Sequence, residues 1–156
     1  MGPNPTDRGK NGTKKSLLVD EQGGPLATVI GGANVNDHKL LEATIEAIVV
    51  KRPKPTEEEP QHLCLDKAYD NAGTAEVVDT HNYTPHIRRI GEEQAPRRKH
   101  RGARPRRWVV ERTLAWLSKC RALLVRYDKH AINYLGMLQL ACGLLWYRRL
   151  HRLQAA

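Results

Sequence analysis

Phenylalanine is absent from this sequence of 156 residues, and methionine and cysteine are scarce. A hydrophobic core must therefore be built from Leu, Val, Ile and the three Trp residues. The three cysteines are odd in number, far apart and set in apolar runs, so they indicate neither a disulfide framework nor a zinc knuckle. We expect a protein of the reducing cytoplasm.

Long hydrophobic runs are also missing. The longest apolar stretch, residues 131–147, is shorter than the roughly 20 residues that a bilayer requires, and it contains Asn133 and Gln139. The first residues lack the apolar segment of a secretory signal. We therefore expect a buried helix over 131–147 and no membrane insertion.

Basic residues are in excess, with 26 Lys and Arg against 17 Asp and Glu and a net charge of +9. The positive electrostatic field of such a protein attracts phosphates, and its affinity for a polyanion falls steeply as the salt concentration rises. Nucleic acid is the first partner that this charge suggests, and an anionic membrane surface is the second. The length suits one domain with one compact core.

The first fourteen residues are mainly Gly, Pro, Asn and Lys and have almost nothing to bury. We expect a flexible basic start over 1–14, and, because a native domain seldom begins in this way, a chain truncated at its N-terminus.

The rest of the chain predicts alternating strands and helices. Two short β-prone runs around the sequence EQGG predict a hairpin, and the apolar run HLCL predicts a buried parallel strand. The order predicts an α/β fold, a mixed sheet flanked by helices. The expected elements are strands at 16–20, 25–30, 62–65 and within 83–90, and helices at 38–50 with Asp37 as N-cap, 71–81, 107–124 and 129–150.

Asp66 follows the apolar run HLCL directly. Polar sites gather at the carboxyl ends of such strands, which makes Asp66 a candidate site residue. The alternative is that Asp66 caps the turn into the next helix, and Asp70 could also cap that helix. Asp20 lies beside the EQGG turn, where we expect a structural role.

Glu111 is the second candidate carboxylate. Helical spacing places it on a face of small residues, with Ala115 and Ser118, that could approach a sheet closely. A carboxylate at a packing face is costly unless something pairs with it. Arg107, one turn earlier, could form a simple surface pair with Glu111, and both interpretations stay open.

Converging carboxylates in a basic protein have a chemical rationale. Mg²⁺ or Mn²⁺ is held by a few carboxylates together with substrate phosphate, and a pair of such ions can activate a hydroxyl and stabilise the leaving oxygen of a phosphodiester. The histidines His62, His81, His86 and His100 show no spacing typical of metal ligands.

Nine of the twenty residues from 88 to 107 are Lys or Arg, interrupted by Pro and Gly. A basic loop over 91–107 that contacts phosphates is one interpretation, and a solvated loop is the other. Arg112 and Trp116, one turn apart, could grip an end nucleotide or stack on each other within the fold. The basic residues that we consider for DNA binding are Arg97, Arg98, Lys99, Arg101, Arg104, Arg107, Arg112 and Lys119.

Four segments together resemble the C-terminal catalytic half of a bacterial DDE transposase of the insertion-sequence-five type, within the insertion-sequence-four group. They are GPNPTDRGKNGTKKSLLVDEQGGPL, GGANVNDHKLL, HLCLDKAYDN and RRWVVERTLAWLSKCRALLVRYDK. The resemblance implies a ribonuclease-H-like fold in which two aspartates and a glutamate bind two divalent ions, Mg²⁺ or Mn²⁺, and cut and rejoin DNA, as a homo-oligomer at the element ends.

On that pattern Asp66 matches the second aspartate, Glu111 the glutamate and Arg107 the arginine of the tyrosine-arginine-glutamate-lysine signature. Arg104 stands at the tyrosine position, and Ser118 at the lysine position with Lys119 one residue beyond. The first aspartate lies, in the family, on a strand before the Gly-Pro-Asn-Pro segment, so the resemblance implies that this strand and an essential carboxylate are missing here.

Two hypotheses follow for this chain. The first is a DNA-transposing phosphoryl-transferase of the bacterial cytoplasm and nucleoid. The second is a basic nucleic-acid-binding remnant without catalytic activity. An RNA-binding domain is less favoured, because the aromatic-bearing strands that stack single-stranded bases are absent from the sequence pattern.

Overall fold

The computed structural model of the protein describes residues 1–87 and 108–155. The chain is mixed α/β and divides into two compact units, one made of Met1–Lys51 with Val109–Ala156 and the other of Arg52–Trp108. The sequence led us to expect one compact core.

The first unit contains an antiparallel sheet of three strands, β1 (Gly2–Pro3), β2 (Asn11–Val19) and β3 (Pro25–Gly32). The predicted hairpin is confirmed, with Leu17 opposite Thr28. The segment 1–14, expected to be a flexible start, contains β1 and the first residues of β2, and Gly2 is buried. Backbone pairing of Gly2 with Gly12, not side-chain burial, holds this segment.

Four helices complete the first unit. A 3₁₀ turn, Asp37–Leu40, leads into α1 (Leu41–Glu46), and α3 (Trp108–Ser118), α4 (Arg121–Leu124) and α5 (Ala131–Gln154) follow later in the chain. The predicted helix 107–124 is interrupted, because Cys120 adopts an extended conformation before α4. Across the part of the chain that the structure describes, no helix combines the length and the apolar character needed to cross a bilayer.

The prediction that Asp37 caps the first helix is wrong. Asn36 occupies the N-cap position, and Asp37 instead forms an ion pair with Lys14 at 3.2 Å. Asp37 is the first residue of the 3₁₀ turn itself, where a carboxylate is still favourable beside the positive end of the helix dipole.

The core of the first unit lies between α3, α4 and α5 and packs against strands β2 and β3. Its buried residues are Leu117, Leu123, Tyr134, Leu138 and Cys142. The Tyr134 hydroxyl donates to the carbonyl of Leu123 at 2.8 Å, which joins α5 to the end of α4. Burial raises the pKa of the Cys142 thiol to about 11, so this cysteine stays protonated and inert.

Met137 and Trp146, which helical spacing suggests as core residues, are 42% and 37% exposed. The buried stripe of α5 instead follows Tyr134, Leu138 and Cys142 at intervals of four residues. Trp146 lies instead beside Gly24, and its indole N–H donates to the carbonyl of Pro25 at 2.7 Å.

The second unit contains a parallel pair of strands, β4 (His62–Leu65) and β5 (Thr84–Ile87), joined by a 3₁₀ turn (Lys67–Tyr69) and by α2 (Ala72–Thr80). Leu63 and Val78 are buried. The expected single mixed sheet is therefore wrong for the described residues, which form separate antiparallel and parallel sheets. The apolar pattern identifies each strand but not its partners.

The proline-rich connector before β4 is ordered by Arg52. Its guanidinium lies 3.7 Å from the centre of the Tyr83 ring and also hydrogen-bonds to the Gln61 side chain. Gln61 in turn donates from its side-chain Nε2 to the carbonyl of Pro53 at 2.8 Å. The backbone carbonyl of Gln61 accepts from the backbone N–H of Thr84 at 2.8 Å. These contacts fix the start of both β4 and β5.

The cap of α2 provides a first test of the fold. The Asn71 side chain accepts from Thr74 N at 2.9 Å, so Asn71→Ala should lower the free energy of unfolding by about 1 kcal/mol. Chemical denaturation measures this loss. Asp70→Ala is the matched control, because Asp70 does not cap α2, and it should change stability by less than about 0.5 kcal/mol. The opposite ranking would contradict the described start of α2.

The core of the first unit provides a second test. Leu138 is 0% exposed, so Leu138→Ala should cost about 2–5 kcal/mol through lost burial and a residual cavity. Leu140→Ala, on the same helix at 67% exposure, should stay within about 0.5 kcal/mol of the parent protein. Denaturant unfolding of both variants makes the comparison, and equal costs would show that the buried stripe of α5 is misplaced.

Candidate functional site

Asp66 lies at the carboxyl end of β4, where the chain leaves the strand. It is exposed, and its Oδ1 accepts from the backbone N–H of Lys67 at 2.7 Å, so it caps the 3₁₀ turn Lys67–Tyr69. The carbonyl of Asp66 also accepts from Tyr69 N at 2.9 Å. The capping role is thus present, while the carboxylate still reaches the protein surface.

The two parallel strands end at the same edge of their sheet. Leu65 is in register with Ile87, so Asp66 follows the end of β4 where β5 also ends. Loops that leave the carboxyl ends of parallel strands are the usual place for polar sites in α/β proteins. The position predicted for Asp66 at a strand end is therefore confirmed.

Glu111 lies in the first turn of α3 and is exposed. The face of α3 that is buried consists of Val109, Thr113 and Leu117. The expectation that Ala115 and Ser118 approach a sheet is therefore wrong: Ala115 is exposed, and the Ser118 hydroxyl donates to the carbonyl of Leu114 at 2.9 Å. Small side chains permit close packing but do not require it, and the face of α3 that is buried is the one whose Thr113 hydrogen-bonds to Gly23.

The first half of α3 is fixed by the turn between β2 and β3. The Thr113 hydroxyl donates to the carbonyl of Gly23 at 2.9 Å, and Arg112 Nη2 donates to the carbonyl of Gln22 at 2.6 Å. Gly23 has a φ of +90° and lies so close to α3 that a Cβ there would be 2.9 Å from Thr113 Oγ1. These contacts orient the helix that presents Glu111.

Arg112 and Trp116 interact within the protein. The Arg112 guanidinium lies 5.1 Å from the centre of the Trp116 ring, which is the intramolecular alternative of the two that the sequence leaves open. Lys119 follows α3, where its N–H donates to the carbonyl of Trp116 at 3.1 Å, and it is exposed. A DNA-binding role for Arg112 and Lys119 stays a prediction.

The remaining aspartates that the sequence singles out have structural roles. Asp20 Oδ1 accepts from Gln22 N at 2.9 Å and Gly24 N at 2.6 Å, and Oδ2 binds Arg149 at 3.0 Å, which confirms the predicted turn role. The suggestion that Asp70 caps α2 is wrong, because Asn71 does so. An asparagine one residue later reaches the amide of Thr74 with the geometry of an N-cap.

Part of the predicted site lies outside the described residues. This part is the basic loop over 91–107, and with it Arg97, Arg98, Lys99, Arg101, Arg104 and Arg107. Asp66 belongs to the unit of residues 52–108, and Glu111 belongs to the unit that includes residues 109–156. A shared metal site of these two carboxylates therefore stays a prediction.

The structure brings together two histidines that the sequence did not connect. His62 on β4 and His86 on β5 approach to 2.8 Å between ring nitrogens. The alternation of His62 and Cys64 along β4 was visible in the sequence, but the partner strand and its register were not. The sequence spacing of these histidines does not reveal their contact, which follows from the pairing of β4 with β5.

Comparison with known proteins identifies the family. Residues 2–146 match the family described as Transposase DDE domain. No solved structure matches the chain.

A curated relative from Burkholderia cepacia is 36% identical over 154 residues, which is 97% of this chain and 70% of the relative. It is named as a transposase for insertion sequence element IS402. Together with the family match over nearly the whole chain, this similarity shows that the chain belongs to the insertion-sequence DDE transposases.

Proposed function

We propose that the chain takes part in transposition of an insertion sequence by metal-dependent cleavage and transfer of DNA strands. Asp66 and Glu111 are the two carboxylates assigned to this chemistry. The observation that carries the proposal is the position of Asp66, exposed at the carboxyl end of a parallel strand in a chain of this family. A ribonuclease-H-like fold is part of the proposal.

The element order supports that fold. An antiparallel hairpin, β2 and β3, precedes a helix and then two parallel strands connected by α2, β4 and β5. A hairpin followed by a crossover unit agrees with the mixed α/β class that the sequence pattern predicts, and a ribonuclease-H-like fold belongs to that class. Long helices then close the chain, and the first of them carries Glu111.

The chemistry of the two carboxylates fits hard divalent cations. Asp66 and Glu111 both offer exposed carboxylate oxygens, and Mg²⁺ and Mn²⁺ bind preferentially to such ligands. When bound, these ions would lower the pKa of an attacking hydroxyl and neutralise charge on a phosphodiester. The backbone N–H of Lys67 fixes one oxygen of Asp66 and so orients its other oxygen.

The basic residues would hold the DNA in place. The net charge of +9 supplies long-range attraction to phosphates, and the segment 88–107 concentrates nine of the basic residues. Contacts of this kind set position on DNA without reading its sequence. We propose that Arg97, Arg98, Lys99, Arg101, Arg104, Arg107, Arg112 and Lys119 contribute to them, and that the protein acts as a homo-oligomer on DNA in the bacterial cytoplasm.

Metal titration tests the assignment of the two carboxylates. Asp66→Ala and Glu111→Ala should each weaken Mn²⁺ binding by at least about tenfold, because each removes a charged oxygen ligand. Calorimetry or the electron paramagnetic resonance signal of free Mn²⁺ measures the change. Asp79→Ala and Glu76→Ala, which remove exposed carboxylates from α2, are the controls and should leave binding unchanged.

Unchanged Mn²⁺ binding in both Asp66→Ala and Glu111→Ala would refute the assignment. If the protein then still bound duplex DNA, the alternative function, a basic nucleic-acid-binding remnant without catalysis, would replace the proposed one.

The salt dependence of DNA binding tests the basic segment. Replacing Arg97, Arg98, Lys99 and Arg101 with Gln should reduce the slope of log affinity against log salt by up to about 3–4, at about 0.9 per lost phosphate contact. Fluorescence anisotropy with a labelled duplex measures the slope. A control with the same charge loss, Lys39, Lys54, Lys129 and Arg152 changed to Gln, should reduce it much less. Equal reductions would mean that only net charge matters.

A further inference from the structure

One face of the parallel pair β4 and β5 carries three side chains that can bind metals. His62 and Cys64 alternate with the buried Leu63 on β4, so both project from the same side of the strand. His86 on β5 is directly in register with Cys64. All three residues are exposed.

The two imidazoles already point at each other. His86 Nε2 and His62 Nδ1 are 2.8 Å apart, and the ring centres are separated by 4.7 Å. A hydrogen bond of this length requires one ring nitrogen to donate and the other to accept. The two nitrogens therefore face each other across this short gap.

We propose that His62, Cys64 and His86 form a binding site for a transition-metal ion of the zinc class. In tetrahedral coordination with Zn–N bonds of about 2.0–2.1 Å, two ligating nitrogens lie about 3.3 Å apart. To admit the ion, the two nitrogens must separate by about 0.5 Å and both rings must turn, so that each nitrogen points at the ion instead of at the other nitrogen.

Cys64 is the third protein ligand of the proposed site, and it joins the two histidines only after its side chain turns, because its sulfur does not lie within 4.8 Å of both imidazole nitrogens as described. Directly paired residues on neighbouring strands lie about 4.8 Å apart. A change of the Cys64 side-chain torsion from one staggered position to the next moves its sulfur by about 3 Å. Two histidines and a thiolate leave a fourth position for water, as in open zinc sites.

This site selects different ions from the proposed carboxylate site. Imidazole and thiolate ligands favour Zn²⁺, Co²⁺, Ni²⁺ or Cu²⁺, whereas carboxylates favour Mg²⁺ or Mn²⁺. The inference therefore does not depend on the roles of Asp66 and Glu111. Because a pair of four-residue strands is marginally stable, an ion bridging β4 and β5 would stabilise the strand that ends at Asp66.

Titration with Zn²⁺ or Co²⁺ in the presence of excess Mg²⁺ tests the site on the full chain. The wild-type protein should bind one ion, and Co²⁺ should give the absorption of a tetrahedral complex. His62→Gln with His86→Gln should weaken binding by at least about 100-fold, because two of three ligands are lost. His130→Gln, an exposed histidine before α5, is the control. Asp66→Asn should leave Zn²⁺ binding unchanged.

Two results would overturn the proposal. One is wild-type Zn²⁺ affinity in the protein that carries both His62→Gln and His86→Gln, and the other is a wild-type protein that binds no more Zn²⁺ than this double variant.

Alkylation of the wild-type chain tests the third ligand without any substitution. Cys64 and Cys120 are both exposed free thiols, so iodoacetamide should modify both in the absence of metal. Zn²⁺ should slow the modification of Cys64 by at least about tenfold and leave Cys120 unaffected, since a metal-bound thiolate is a poor nucleophile. Peptide mass spectrometry gives both rates, and equal slowing or no slowing would contradict the role of Cys64.

Discussion

Asp20 joins the turn between β2 and β3 to the last helix. One of its oxygens accepts two backbone amides of the turn, and the other binds Arg149 of α5 at 3.0 Å. The same turn receives the Thr113 hydroxyl of α3 at the carbonyl of Gly23. Because the side chains of Asp20 and Arg149 are each only about a quarter exposed, water screens their ion pair less than it screens a surface ion pair. The orientation of Glu111 thus depends on a turn far earlier in the chain.

The elements that the sequence predicts well are those with local signals. Alternating and apolar runs identify β2, β3, β4 and β5, and helical spacing identifies α2 and α5. The separation into two sheets was not predicted, because strand pairing depends on contacts between distant segments. The interruption of the helix at Cys120 was not predicted, because no Pro or Gly lies there to indicate it. The ion pair of Asp37 is with Lys14 on β2, a partner that no local pattern around Asp37 indicates.

In the candidate site, too, features with a local sequence signal were predictable and features that depend on contacts between distant segments were not. The place of Asp66 at a strand end was predictable, because a polar residue directly after an apolar run is a local pattern; the run did not distinguish a site residue from a cap. The surroundings of Glu111 were not predictable, since the buried face of α3 is determined by Gly23 and its neighbours and not by the helix sequence alone. The contact between His62 and His86 depends on a strand register that no local pattern encodes.

The hydrogen bond from Lys67 to Asp66 affects the entropy of any later binding event. A free aspartate samples several rotamers, and a ligand that captures it must immobilise the side chain. Here folding has already restricted the carboxylate through the adjacent amide at 2.7 Å. The loss of side-chain freedom therefore accompanies folding, and a binding partner meets a group that is already oriented.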